Sequence, residues 1–247
     1  MGIATTLIFS SGSVAANVAD DKKYLNPEHS LLTEEANIRT VSDQTGIIDE
    51  LGEQRLKSIL ADVIKIRGGK IGKIIEKLES RSPNWSWVVR EGSLPKYVNG
   101  KTKLIPKGVM SILDYDHLEN ATDLSIARTI IHEMVHAYLS LYFRYEQIDA
   151  IKEYPEIYRA WQIKKYADFN QLQHDEIEKT FLIDIAFALK EYGDKTNADA
   201  DDVTYFDLAW GGLNVENNHK LTAKAKRRIQ NRLSEEQSRQ LRTDNAN

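Results

Sequence analysis

The chain has 247 residues, of which 41% are hydrophobic and 28% charged, enough for one substantial core or two small ones. Its 33 Lys and Arg stand against 37 Asp and Glu, a formal net charge of −4, so it is not the globally cationic chain expected of a nucleic-acid or membrane-surface protein. It contains no cysteine, which excludes a disulfide scaffold, a thiolate zinc finger, an iron–sulfur site and a cysteine nucleophile. Any transition metal must then be held by imidazole and carboxylate.

No stretch approaches the ~20 apolar residues of a membrane span. Residues 1–45 lack sustained periodicity and read as a loosely ordered leader. Its first residues have no basic n-region, so an irregular leader or the cut end of a longer polypeptide is preferred to a signal peptide. From Ile47 to Glu79 the apolar residues fall at helical spacing, and Gly68-Gly69 splits the run into two helices. The stretch Gly68 to Ile74 fails as a phosphate loop, because Ile74 stands where Ser or Thr is needed. Beyond Pro83 the pattern changes. Trp85 to Val89 and Tyr97 to Ile105 read as strands, with Asn99-Gly100 as a hairpin turn, followed by Val109 to Leu113. Thr122 or Asp123 then caps a helix reaching Arg144, and Pro155 interrupts the next helical stretch. A second long helix is expected from Gln171 to Tyr192, ending at Gly193. Lys220 to Arg242 is basic and reads as a solvated helix or tail, with nucleic-acid contact as the sharper alternative. The domain reading is a leader at 1–45, a catalytic domain at 46–215 and a basic polar segment at 216–247.

The informative residues are His132-Glu133-Met134-Val135-His136, an HExxH match. On a helix, side chains at i and i+4 share a face, so two imidazoles reach one metal ion, and Glu133 projects beside it as a general base. On a helical wheel Ala127, Ile130, Ile131, Met134, Val135, Tyr138 and Tyr142 form an apolar stripe, and both histidines lie roughly opposite. A catalytic zinc usually takes a third protein ligand. The extended metzincin pattern is absent, since Leu139 and Tyr142 stand where Gly and His are required. His174 is the leading third ligand, placed among the inward positions Ile177, Phe181, Ile185 and Ala188; Glu178 is the alternative, as ligand or as orienting partner. His29, His117 and His219 read as leader or surface-loop residues. Tyr166, Tyr192 and Tyr205 are considered as oxyanion donors, and the Trp210-Gly211-Gly212 loop as a pocket wall or a plain turn. The acidic loop at Asp199, Asp201 and Asp202 lacks EF-hand spacing.

The stretch from Ala127 to Tyr138 resembles the active helix of SprT-like zincin metalloproteases, and His174-Asp175-Glu176-Ile177 stands where that family places its third histidine, without the usual Gly and Phe. The resemblance covers about residues 85–190. It implies zinc on His132, His136 and His174, with Glu133 as catalytic base. The cysteine zinc ribbon of many members is ruled out by composition, and with it goes much of the case for a DNA-linked role. Asn120 to Tyr138 and Leu208 to Leu213 are also similar to zincin domains at the ends of large bacterial secreted or toxin-like polypeptides.

The fold expected is α+β and zincin-like, with a small sheet, the HExxH helix and a second long helix. The function expected is a zinc-dependent endopeptidase acting on protein or peptide. Two alternatives remain: a zinc amidohydrolase on non-protein amides, or a catalytically idle binding module. The compartment, cytoplasmic or secreted, stays open.

Overall fold

A computed structural model describes residues 46–238 apart from 81, 83, 164 and 165. The leader expected at 1–45, with His29, and the end of the basic segment lie outside the described residues. The fold is mixed α and β, built on one small sheet. Its strands are β1 (Ile47–Glu50), β2 (Trp87–Gly92), β3 (Gly100–Ile105) and β4 (Gly108–Asp114). They lie in the order β1-β2-β4-β3; β3 is antiparallel to β4 and the other pairs are parallel.

Ten α-helices are described: α1 (Gln54–Val63), α2 (Gly69–Glu79), α3 (Tyr115–Asn120), α4 (Asp123–Tyr145), α5 (Gln147–Glu153), α6 (Pro155–Gln162), α7 (Tyr166–Glu176), α8 (Leu182–Thr196), α9 (Asp202–Ala209) and α10 (Ala223–Glu236). A π-helical turn, Ile177–Phe181, joins α7 to α8. No helix is long and apolar enough to cross a membrane among the described residues.

The organising element is α4. It packs against β3, β4, α1, α2 and α8, and from Leu124 to Ala137 it is buried without a break. The expected apolar stripe is therefore only half of its buried surface; the histidine-bearing side is covered as well. Its start is fixed by Thr122, whose hydroxyl accepts from the Ser125 amide at 3.1 Å, an N-cap that satisfies one orphan donor. Arg55 on α1 clamps the same end, donating to Asp123 and to the carbonyls of Leu118 and Ala121.

Four expectations are corrected. Ile47–Glu50 is a strand, not the first turn of a helix: β2 offers it a parallel partner, with Ile47 opposite Trp87. The β3–β4 turn falls at Pro106-Lys107, while Asn99-Gly100 opens β3 and the Asn99 carbonyl accepts from the Asp114 amide. The second long helix is interrupted by the π-helical turn, and its last part, α8, runs through Gly193 to Thr196 and is capped by Asn197 at φ 56°. Gly193 serves packing instead, since a Cβ there would lie 2.1 Å from the Tyr205 hydroxyl. Finally, the basic segment, which reads as a solvated helix or tail, is a helix, but a docked one rather than a solvated one. Ile229 is fully buried, Arg228 makes a bidentate pair with buried Asp207 at 2.7 and 2.8 Å, and the Glu236 carboxylate accepts from Thr122.

Candidate metal centre

His132 and His136, one turn apart on α4, present their imidazoles to the same space. Their Nε2 atoms are 3.1 Å apart. His174, from the last turn of α7, completes the cluster, with ring centroids 5.5 Å from His132 and 4.9 Å from His136. One ring nitrogen from each residue lies within 4.8 Å of the other two. A tetrahedral metal with bonds of ~2.0–2.1 Å separates its nitrogen ligands by roughly 3.4 Å. The α4 pair, at 3.1 Å, lies slightly inside that spacing.

The His136 tautomer agrees with ligation. His136 Nδ1 lies 3.0 Å from Oε1 of Gln173, an acceptor, so Nδ1 carries the proton and Nε2 faces His132 with its lone pair. Gln173 is a residue that spacing arguments overlooked; it is buried and orients the His136 imidazole, as carboxylates and carbonyls orient histidines in metal sites. Burial keeps all three rings neutral. The pKa of His136 falls to about 4 and that of His174 to about 3, chiefly by desolvation, and His132 is lowered well below its usual value by burial and then by its histidine neighbours. Neutral imidazoles at close quarters are a donor set for a divalent cation.

Glu133 projects toward β3. Its Oε2 accepts from Thr102 Oγ1 at 2.7 Å. Thr102 in turn lies 2.7 Å from Ser111 Oγ, which accepts from Trp87 Nε1 at 2.8 Å. Since the indole only donates and a carboxylate only accepts, the protons of this row run from Trp87 through Ser111 and Thr102 to Glu133. Gly100, two residues before Thr102 and on the same face, leaves room for the side chain: a Cβ there would lie 2.8 Å from Glu133 Cγ and Oε1. Burial pushes the Glu133 pKa up to about 7, against the opposing Thr102 hydrogen bond and the charge of Arg128. A carboxyl poised near neutrality is suited to taking and returning a proton.

The Trp210-Gly211-Gly212 loop closes over His132. Gly212 sits at φ +86°, and a Cβ there would meet His132 Cε1 at 2.9 Å. The backbone must be glycine both for its conformation and for this approach.

Other expected residues are elsewhere. The Glu178 carboxylate binds Lys220 Nζ at 3.1 Å and is not part of the histidine cluster. His117 is not a surface-loop residue: it is buried, and its Nε2 lies 3.0 Å from Thr129 Oγ1, itself donating to the Ser125 carbonyl, so the imidazole donates. Tyr192 lines a separate cavity of about 320 Å³ with Arg55, Asp62 and Asp123, and Asp123 precedes His132 by nine residues, about 13 Å of helix. Tyr205 packs on Gly193. Neither tyrosine reaches the cluster, and the Tyr166 side chain lies outside the described residues. Asp201 caps α9, and Asp202 pairs with Lys190. His219 is exposed.

No protein-family model matches the chain, and no curated protein and no solved structure matches it either.

Proposed function

We propose that the protein is a zinc-dependent metallopeptidase of zincin-like fold, related to the SprT-like enzymes, with His132, His136 and His174 as ligands and Glu133 as general base. One observation carries this reading: three neutral imidazoles converge on one point while the adjacent carboxyl, raised to about 7, is held toward a sheet edge. A structural histidine cluster has no need of such a carboxyl.

Zinc bound there supplies a Lewis acid for the scissile carbonyl and lowers the pKa of water towards ~7. Glu133 then accepts the proton of the attacking water and passes it to the leaving amine. Thr102 holds the carboxylate in place, and Gln173 holds His136 in the tautomer that leaves Nε2 free. Among the described strands β3 pairs only with β4, and its outer edge would bind the backbone of an extended peptide as an added strand. That edge favours a peptide over a compact amide.

The test begins with metal content. The wild type is expected to hold about one zinc per chain, lost in His132→Ala, His136→Ala and His174→Ala and retained in Glu133→Gln, which should abolish hydrolysis of an unstructured protein substrate. Zinc without peptide hydrolysis, but with cleavage of non-protein amides, would move the enzyme to the amidohydrolases. Zinc with neither would leave a binding module, and no zinc would end the metallopeptidase reading.

A further inference from the structure

Arg128 is a cation that this mechanism does not use. It stands one turn before His132 and two before His136, so the three side chains form one column along α4. The residue is only 3% exposed, and its Nε has no hydrogen-bond partner. Among the described residues no carboxylate pairs with it; Glu133 acts on it only at a distance. Desolvation lowers its pKa to about 10, so it stays charged at neutral pH. Its field is felt at His132 and Glu133, and at His117 as well.

The glycine loop treats Arg128 and His132 alike. A Cβ at Gly211 would lie 2.6 Å from Cζ and Nε of Arg128, as one at Gly212 would lie 2.9 Å from the His132 ring. Consecutive glycines thus roof the guanidinium and the imidazole. Trp210, which leads into the loop, has a buried Nε1 that is also without a partner. Both are donor-only groups. A buried guanidinium without a counter-charge is costly, and an apolar side chain of similar length would fill the space more cheaply. The missing acceptor is therefore to be sought in a ligand.

We propose that Arg128 binds a carboxylate of the substrate, one helical turn from the three-histidine centre and beneath the Gly211-Gly212 loop. A turn of four residues rises about 6 Å, the reach of one or two peptide units. The carboxylate then lies within a residue or two of the bond cleaved. The substrate class, though not the anion site itself, rests on the hydrolytic reading above. A chain terminus and an acidic side chain present the same planar pair of oxygens to a guanidinium, and the test separates them.

Full-length wild type, Arg128→Met and Arg128→Lys are compared for metal content, for melting temperature with and without succinate, and for hydrolysis of three peptides. One peptide ends in a free carboxylate, one is its C-terminal amide, and one is an amide with Asp beside the scissile bond. Arg128→Met should keep the metal and melt about 2–4 °C higher, the buried charge being gone. It should lose the rise in melting temperature that succinate gives the wild type, and lose about 10- to 100-fold in kcat/KM on carboxylate-bearing peptides only. Arg128→Lys, without the planar fork, should keep part of both responses. Preference for the free-acid peptide assigns a chain terminus, and preference for the Asp peptide a side chain. An Arg128→Met protein that melts lower and still responds to succinate overturns the proposal, because the arginine is then structural. If the wild type binds no metal, the hydrolytic reading fails by itself, and the succinate response of the metal-free chain still decides the role of Arg128.

Discussion

Thr102 Oγ1 donates to Glu133 Oε2 across 2.7 Å, joining the edge strand of the sheet to a carboxyl of α4. The bond favours the ionised carboxyl, which burial opposes. Thr102→Val removes the donor at almost constant volume. Activity is expected to fall about 10- to 100-fold, the range for a hydrogen bond to a charged group, with metal content unchanged. Thr102→Ser should restore most of it. Equal activity in Thr102→Val would make Thr102 a packing residue only.

The proposed third ligand, His174, and its surroundings make a second prediction. Glu178 is committed to Lys220 and stands outside the histidine cluster. Glu178→Ala should therefore leave metal affinity unaltered, whereas Gln173→Ala should weaken it about 10- to 100-fold, the usual cost of losing a partner that orients a ligand. Competition with a chelator of known affinity measures both. The opposite ranking would return the site to a two-histidine, one-carboxylate type.

His117 gives the fold a pH dependence of its own. Burial, then the charges of Arg128 and Arg55, lowers its pKa to about 3, from 6.5. Its folded-state pKa is below the unfolded value, so between these limits the unfolded chain binds the extra proton. Stability should thus be full above pH ~6.5 and decline as pH falls towards ~3, by at most about 1.4 kcal/mol per pH unit for one proton. Urea titrations of metal-free wild type and His117→Gln, taken between pH 7 and 4, test this with the three cluster histidines present in both. The wild type should show the steeper decline. Parallel curves would mean that His117 titrates alike in both states.

What the sequence made legible follows from the range of the interactions involved. His132, Glu133 and His136 are linked by helical periodicity, a local rule, and His174 followed from the small number of histidines. The groups around them obey no local rule. Thr102, Ser111 and Trp87 come from three strands that meet only through the sheet register, and Gln173 reaches His136 across 37 positions. The misplaced elements have the same origin. Ile47 and Ile48 fit a helical spacing with Leu51, but β2 supplies a strand partner from 40 residues on. Gly100 looked like a turn glycine beside Asn99, when it is required because Glu133 crosses above it. A glycine marks a need for space or for positive φ, and only tertiary structure says which.

Gly100 and Gly212 guard different parts of the centre, so their substitutions should separate metal binding from catalysis. At Gly100 an added Cβ would meet Cγ and Oε1 of Glu133, and the flexible carboxyl arm can yield. Gly100→Ala should hold metal normally and lose activity about 100-fold or more, because a displaced base no longer meets its water. At Gly212 the added Cβ would meet the His132 ring, and φ +86° strains any other residue. Gly212→Ala should therefore lose about 1–2 kcal/mol of stability and bind metal at least about tenfold more weakly, the ring being pushed off the position its partner imidazoles require. Metal titration and thermal melting of the two variants side by side give the answer. Were Gly212→Ala to bind metal like the wild type, the loop would not rest on His132, and Arg128 beneath its neighbour would lose its roof as well.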